Sequence, residues 1–550
     1  MTGAIIKDIN ESAEAKMSAL ESGEASYLRS DVKIEPLAWG WYAWGHLLSP
    51  ISHALNLVAR QIPLLKSFIA NPSIHHAAAK DPAFLGGPFV QLDGSARPGA
   101  LALLAQIDEQ GARLITLAED WRKLERQLRE RAAGFSLETI YHDIPVSLRG
   151  LVELTYDLKN GACLRPVEEL ATRADFGTAA GEGLALSRTK DSQRRFFLNT
   201  PRLSSAENLL LPLRFADERI DALARARLHP VECGKLADEL EVPDEMREQF
   251  SQLFTPTPTE RNAPNHSAEG VRLRYFGHAC VLVQTSKVSL LIDPVVAFGK
   301  EAPEATLAFD DLPDVIDFVF ITHNHQDHLC PEVLLQLRHR VGTVLVARNN
   351  PGNIADPSLK LILQKIGFRN VVVMDPLDEI EIPDGAIVSL PFYGEHADLS
   401  IYGKHGLYLR IQGHTLAFLA DSNCLDRALY HRLHDALGSV ETLFIGMECD
   451  GAPLSWLYSP YLAEPLKRKD DESRRLSGSD CERALAVIEE LHCTRVFVYA
   501  MGQEPWLQYL CGIQYTPESK QIIESKKLID FCKISQIPAT RLYGCRDIYL

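Results

Sequence analysis

The chain has 550 residues, room for two or three domains of ordinary size. Hydrophobic residues make up 46% and aromatics 8%, which is a globular composition able to bury large cores. The formal net charge is −16, from 57 basic and 73 acidic residues. A surface that acidic repels phosphate backbones, and no local basic patch argues for nucleic acid.

The opening segment, "MTGAIIKDINESAEAKMS", lacks the apolar core of a signal peptide. The most apolar long stretch, residues 36–70, is interrupted by Pro50, His53, Asn56, Arg60, Gln61 and Lys66. It reads as buried helix and not as a membrane span. The aromatics Trp41, Tyr42 and Trp44 of "WGWYAW" suit packing or a subunit interface. "HHAAAKDPAFLGGPFV" reads as an ordered loop, and the pair His75-His76 as helix or loop surface. "LLAQIDEQGARLITLAEDWRKLERQLRERAA" carries apolar residues at helical spacing, as does "HPVECGKLADELEVPDEMREQFSQLF", while "FFLNTPRL" looks like a strand. "FTPTPTERNAPNHSAEG" has no apolar period and reads as a linker. The expected organisation is a mainly helical, mixed α+β region over 1–254, a linker over 255–270 and a second domain over 271–550. Eleven scattered cysteines without a CxxC pair point to a reducing compartment, hence the cytoplasm.

Beyond the linker the pattern turns to strands. "VRLRYFGHACVLVQTSKVSLLIDP" reads as β-hairpins. "VIDFVFITH", "GTVLVAR", "VVVMDP", "GAIVSLPF", "GLYLRIQGHTLAFLADSN" and "VETLFIGMECDG" supply further strands, with the helical "SLKLILQKIG" among them. "GSDCERALAVIEELHCTRVFVYAMG" is a capped helix and a strand. Hairpins followed by strand–helix units predict an α/β fold of two sheets sandwiched between helices.

The densest chemistry is "ITHNHQDHLCPEVL", which packs His323, His325, Asp327 and His328 into six positions. A strand leads into it, and Pro331 and Glu332 open a helix after it. Imidazole nitrogen and carboxylate oxygen bind first-row divalent metals, and a tight loop fixes them at small ordering cost. So close a cluster outweighs a reading of three satisfied core or surface histidines. The pattern H-x-H-x-D-H resembles the signature of the metallo-β-lactamase superfamily. "GHAC…LIDP" resembles its first motif, a turn ending in Asp293, and "FLADSN" places Asp421 where that superfamily has a metal-bridging aspartate. "PFYGEHADL" fills the place of a third motif that normally supplies a histidine.

Two departures matter. Ala500 and Met501 of "FVYAMGQEP" stand where hydrolytic members place a last histidine, and Glu395 precedes His396 in the third motif. With Glu395 as ligand the set becomes three histidines and three carboxylates, which suits paired iron and dioxygen. His396 is the rival of Glu395, or its supporting partner. Glu448, at the end of a predicted strand, is either a carboxylate beside the metals or a loop acid. His278 is expected to hydrogen-bond within the core or, as the lesser alternative, to orient a ligand, Asp293 to hold a ligating histidine, and Cys280 and Cys330 to pack.

These motifs, together with "WYAWGHLLSPISHALNLVARQ", "LGGPFVQLD", "MECDGAPLSWLY" and "MGQEPWLQY", resemble the diiron β-hydroxylases of the chloramphenicol-pathway type over nearly the whole chain. The resemblance implies an αββα sandwich (metallo-β-lactamase-like) catalytic domain behind a large N-terminal domain that dimerises. It implies two iron ions, dioxygen as co-substrate and an external electron donor, a separate reductase, since no flavin or nicotinamide motif is seen. The implied reaction is hydroxylation of the β-carbon of an amino acid carried as a thioester on a nonribosomal peptide synthetase thiolation domain. By the same resemblance His323, His325 and Glu395 belong to one iron, Asp327 and His328 to the other, and Asp421 lies between. The alternatives are a binuclear zinc hydrolase, a flavodiiron-type oxidase (which would carry Glu in place of His325 and a flavodoxin module) and a non-catalytic assembly subunit.

Overall fold

The computed structural model describes residues 25–300 and 307–550, apart from Asp175. The opening segment discussed above lies outside the described residues.

Two seven-stranded mixed sheets form the downstream half. The first runs from edge to edge as Val371–Met374, Val341–Ala347, Ile316–Ile321, Ser289–Ile292, Cys280–Gln284, Arg272–Gly277 and Arg546–Tyr549. The second runs Glu379–Ile382, Gly385–Leu390, Gly406–Ile411, His414–Phe418, Thr442–Gly446, Arg495–Tyr499 and Ala539–Arg541. Both follow one plan. Strand Ser289–Ile292 pairs antiparallel with Cys280–Gln284 on one side and parallel with Ile316–Ile321 on the other. Strand His414–Phe418 likewise pairs antiparallel with Gly406–Ile411 and parallel with Thr442–Gly446. Where the pairing changes, the C-terminal ends of neighbouring strands open a crevice, the usual place for a site in such sheets. Asp293, the histidine loop, Asp421 and Glu448 all follow strands that end there.

Alternation along the strands sets the layers. Leu290, Ile292, Phe320 and Leu345 face inward, onto Leu407, Leu409, Phe418 and Phe444 of the second sheet. Leu291, Val319, Ile321, Val344 and Val346 face outward, where they join one continuous core with the N-terminal region. The second sheet's outer face, through Leu443, Ile445, Val496 and Val498, is covered by Tyr430, Leu433, Val487, Ile488 and Leu528 from helices Arg427–Leu437, Cys481–Glu490 and Lys520–Ile534. Strands buried on both faces explain the near-continuous apolar runs in the sequence. The result is the expected αββα sandwich.

The upstream half is mixed α+β, with a four-stranded sheet ordered Trp41–Tyr42, Lys33–Ala38, Glu182–Ser187, Asn208–Leu211 and helices that include Pro50–Asn56, Ile62–Ala70, Arg97–Gln110 and Ala112–Arg131. The last two were one helical run in the sequence; they part at Gly111, where a β-carbon would lie 2.6 Å from the Ile107 carbonyl oxygen. Trp41, Tyr42 and Trp44 are buried within the chain, so they pack and do not form a subunit surface. Three further expectations change. His75 and His76 lie in a helix, Pro72–Ala78, one of the two readings given, but His75 is buried and not at its surface. "FFLNTPRL" is not a strand: Phe197 donates its N–H to Tyr509 O and Arg202 to Gly40 O, while Pro201 has no N–H to give a ladder. The segment 254–270 begins as strand Phe254–Thr255 beside Ala25–Leu28 and is then pinned, with Arg261 donating to Asp310 O and Leu312 O and Arg272 to Pro264 O. It is a packed strap.

Buried charges bolt the upstream half to the helix Pro331–Leu337 behind the histidine loop. Glu332, fully buried in its first turn, accepts from Tyr42 at 3.0 Å and from Arg194. Arg194 also donates to Glu35 at 2.7 Å, and Glu35 accepts from Arg202 at 2.9 Å. Burial pushes the Glu35 carboxyl up, but Arg202 and Arg194 outweigh it and hold it down to about 2. Among the described residues no helix is long and apolar enough to cross a membrane, and all eleven cysteines are free.

Candidate metal centre

Strand Ile316–Ile321 delivers Thr322 to the floor of the crevice. Thr322 donates its N–H to Asp293 Oδ1 and its hydroxyl to Asp293 Oδ2, each at 2.7 Å. With that hydrogen committed, the hydroxyl oxygen accepts from His323 Nδ1 at 3.0 Å, so the Nε2 lone pair of His323 faces the crevice. Asp293 Oδ2 also takes His328 Nδ1 at 2.8 Å, which turns His328 Nε2 the same way. Asp293 therefore does what was expected of it and more, since it sets two histidines, one through Thr322. His325 points with the other nitrogen. Its Nε2 meets Tyr458 Oη at 2.9 Å, leaving Nδ1 2.7 Å from Glu395 Oε1.

The second sheet supplies oxygen. Glu395 has φ +67°, a strained angle of the kind found at functional sites. It follows Gly394, where a β-carbon would lie 2.4 Å from Asn423 Cβ. Only glycine lets this turn close onto the Asp421 loop. Asp421 Oδ2 lies 3.0 Å from His328 Nε2 and 3.7 Å from His323 Nε2. His396 sits with Nδ1 2.6 Å from Glu395 Oε2.

The donor atoms form linked sets, each within 4.8 Å: His323, His325 and Glu395; His323, His328 and Asp421; His278, Asp327 and His328; Glu395, Asp421 and Glu448. The seven residues read as ligands or metal neighbours, His323, His325, Asp327, His328, Glu395, Asp421 and Glu448, thus meet in one cluster, and His278, expected to hydrogen-bond within the core or to orient a ligand, meets it too; His396 is in none of the sets. Among these buried atoms, His323 Nε2 and Asp421 Oδ1 have no hydrogen-bond partner. Buried polar atoms are almost always paired, and convergent orphans of opposite type fit a pair of cations. Burial, then His328 and His325, push His323 well below the ordinary imidazole range, so it is neutral. Burial opposes charge on His328, but Asp421 and Asp293 carry it well above that range. Burial, then Asp421 and Glu395, push Glu448 well above the carboxyl range.

A cavity of about 330 Å³ opens on the cluster; His325, Asp327, Glu395, Asp421 and Glu448 line it, as do Ala500 and Met501. Its roof comes from the other half of the chain. Leu85 and Gly86 line it, and Trp456 Nε1 donates to Gly86 O at 3.1 Å. Cys511, 184 residues from the loop position it touches, carried no sequence signal, and Tyr458, 133 residues from His325, entered only as the end of "MECDGAPLSWLY" with no role attached. Thr322, directly before the first histidine, was within reach of inspection.

Residues 27–258 match the family model described as the diiron non-heme beta-hydroxylase N-terminal domain, and residues 272–448 match a beta-lactamase superfamily domain. A curated relative from Streptomyces venezuelae, named 4-amino-L-phenylalanyl-[CmlP-peptidyl-carrier-protein] 3-hydroxylase, is 35% identical over 529 residues, 95% of this chain and 99% of its own. The chain belongs to the diiron β-hydroxylase family. The crystal structure of CmlA, a diiron beta-hydroxylase from the same organism, superposes with a TM-score of 0.90 at 34% identity, covering 96% of this chain and 99% of CmlA. A metal-dependent hydrolase from Sulfolobus acidocaldarius is 36% identical, but over only 25% of this chain and 63% of its own length. As a member of the β-hydroxylase family the protein is a non-haem diiron hydroxylase that takes two iron ions and dioxygen.

Proposed function

We propose that the protein hydroxylates the β-carbon of an amino acid tethered as a thioester to a nonribosomal peptide synthetase thiolation domain, as a cytoplasmic homodimer fed with electrons by a separate reductase. The relative's name, a 3-hydroxylase of an aminoacyl carrier protein, supports the substrate class. The observation that carries the reading is Glu395: a carboxylate stands beside His323 and His325, while the late strand runs into Ala500 and Met501, which offer no hard donor. His323, His325 and Glu395 would hold one iron, Asp327 and His328 the other, and Asp421 both.

Bound there, the iron pair supplies the oxidising power for an unactivated C–H bond, which no side chain could attack. The chain's own residues do the rest. Asp293 and Thr322 fix His323 and His328, and Tyr458 fixes His325. Glu448, half-buried at the cavity wall beside Asp421 and Glu395, is placed to take up or give a proton. Leu85 and Gly86 roof the cavity against water, and Trp456, Leu476 and Ile513 give the substrate side chain an apolar wall. On this division the described residues of 25–254 roof the site, 255–270 strap the halves together and the described residues of 271–550 hold the metals.

The test is incubation of iron-loaded protein with aminoacyl-loaded thiolation domain, reductant and labelled dioxygen. The expected product keeps the thioester and carries one labelled oxygen atom on the side chain. Thioester cleavage without label would overturn the reading in favour of a zinc hydrolase. Glu395→Ala should lose one iron or turnover; full activity would contradict the ligand assignment.

A further inference from the structure

The late strand Arg495–Tyr499 ends in Ala500, Met501 and Gly502, none of which presents a donor side chain. It presents a backbone amide instead. Gly502 donates its N–H to His278 Nδ1 at 3.1 Å. A nitrogen that accepts carries no hydrogen, so neutral His278 bears its hydrogen on Nε2. That nitrogen faces Asp327 Oδ2 at 3.3 Å, a long contact that stops short of a hydrogen bond and would close with a small shift of the carboxylate. Cys511 Sγ donates to the same oxygen at 3.4 Å. His278 has little freedom to do anything else. Its backbone N–H goes to Glu504 Oε1 at 3.0 Å, its carbonyl accepts from Ala500 at 2.8 Å, and its φ is +50°. Residues 500–504 thus clamp the histidine from three sides.

We propose that His278 and Cys511 are a positioning pair that donates to Asp327 Oδ2, leaving Oδ1 alone for the second iron, and that His278 is not itself a ligand. The inference rests on the metal assignment above. It explains how a strand end without a donor side chain still acts on the metal site: through an amide, an imidazole and a carboxylate in series. It also leaves the second iron with fewer protein donors than a histidine-terminated strand would give.

The experiment is anaerobic titration of the full chain with ferrous iron, read by equilibrium dialysis. Alongside it, coordinated imidazoles are counted by pulsed electron paramagnetic resonance of the mixed-valent form with ¹⁵N-histidine. His278→Phe and Cys511→Ala should each weaken only the weaker-bound iron, by about 10–100-fold, the usual cost of losing a partner of a metal ligand. Cys511→Ser and His278→Gln, which keep a donor, should restore most of that loss; a merely structural role predicts no such rescue. The imidazole count should stay at three in wild type and in every variant. A fourth imidazole that vanishes in His278→Phe makes His278 a ligand and overturns the proposal. Unchanged affinity for the second iron in His278→Phe and in Cys511→Ala overturns it as well. Should His278→Phe fail to fold, the Cys511→Ala and Cys511→Ser pair decides. None of these readouts needs substrate, so absence of hydroxylation leaves the proposal standing, whereas wild-type protein that cannot hold two irons removes the assignment and the proposal together.

Discussion

The two sheets share a plan and differ in what they bring. The first ends its strands in imidazoles, His323, His325 and His328, with Asp327 as its only carboxylate in the cluster among the described residues; the second ends its strands in Glu395, Asp421 and Glu448. Their outer covers differ too. Helices such as Cys481–Glu490 cover the second sheet with apolar side chains, whereas the first sheet lies under a separate half of the chain tied down by buried charges. The lesson is that topology only prepares a crevice, and the donor chemistry is written in a few loop residues at strand ends. One sheet fixes nitrogen donors through Asp293 and Thr322, and the other advances oxygen donors on strained turns such as Glu395.

The comparison breaks most sharply at the ligands. His328→Ala takes a nitrogen from the first sheet and leaves Asp421 without its 3.0 Å neighbour. The expected loss in turnover exceeds the ~10–100-fold that removal of a supporting hydrogen bond costs, with less than two irons retained per chain. Metal analysis and oxygen uptake check it. Two irons bound at wild-type affinity would mean that the sheets do not divide the donors in this way.

The covers come next. Arg194→Met leaves the buried Glu332 with no cation, only the Tyr42 hydroxyl, and leaves Glu35 with Arg202 alone, and breaking such a network costs about 3–5 kcal/mol. Hydrogen exchange should show the loss in Lys33–Ala38 and Pro331–Leu337 and spare Thr442–Gly446 under its apolar helices. In Arg194→Met combined with Glu332→Gln the loss should be less than the sum of the single losses, because the two side chains share one interaction.

What could be read in advance follows the same division. The αββα sandwich was legible because strands buried on both faces read as apolar runs with turns between. The histidine loop was legible because its ligands crowd into six positions, and Glu395 and Asp421 because each sits in a motif at a strand end. The supporting groups were not. Tyr458, Cys511 and the Gly502 amide act across long sequence separations and through single hydrogen bonds, which leave no pattern in composition or period. "FFLNTPRL" has strand-like residues, but its backbone bonds go to the Tyr509 and Gly40 carbonyls and not to a ladder. The strap over 254–270 looked loose for a similar reason: polar residues without a period can be held by arginines that lie elsewhere in the chain.

The smallest expected effect also separates the two covers. His53, in helix Pro50–Asn56, is buried, and neither ring nitrogen has a hydrogen-bond partner. Burial, then the Lys365 charge, lower it to about 3 from its ordinary 6.5. Its folded-state value is the depressed one, so the stability it permits is fully present above pH 6.5. That stability is lost as pH falls toward 3, because the unfolded chain takes up a proton that the folded chain refuses. The slope is about 1.4 kcal/mol per pH unit within that window, and His46, lowered by burial to about 3 in the neighbouring helix, adds its own. Acidification from pH 7 to pH 5 should therefore loosen the upstream cover before the helices on the second sheet. His53→Phe, of similar volume and without a site for the proton, should flatten part of that dependence. Unfolding profiles at several pH values, followed by exchange in Pro50–Asn56 and in Cys481–Glu490, read both quantities. If both covers loosen together, or if His53→Phe leaves the pH slope unchanged, the buried imidazole is not what makes the first cover acid-sensitive.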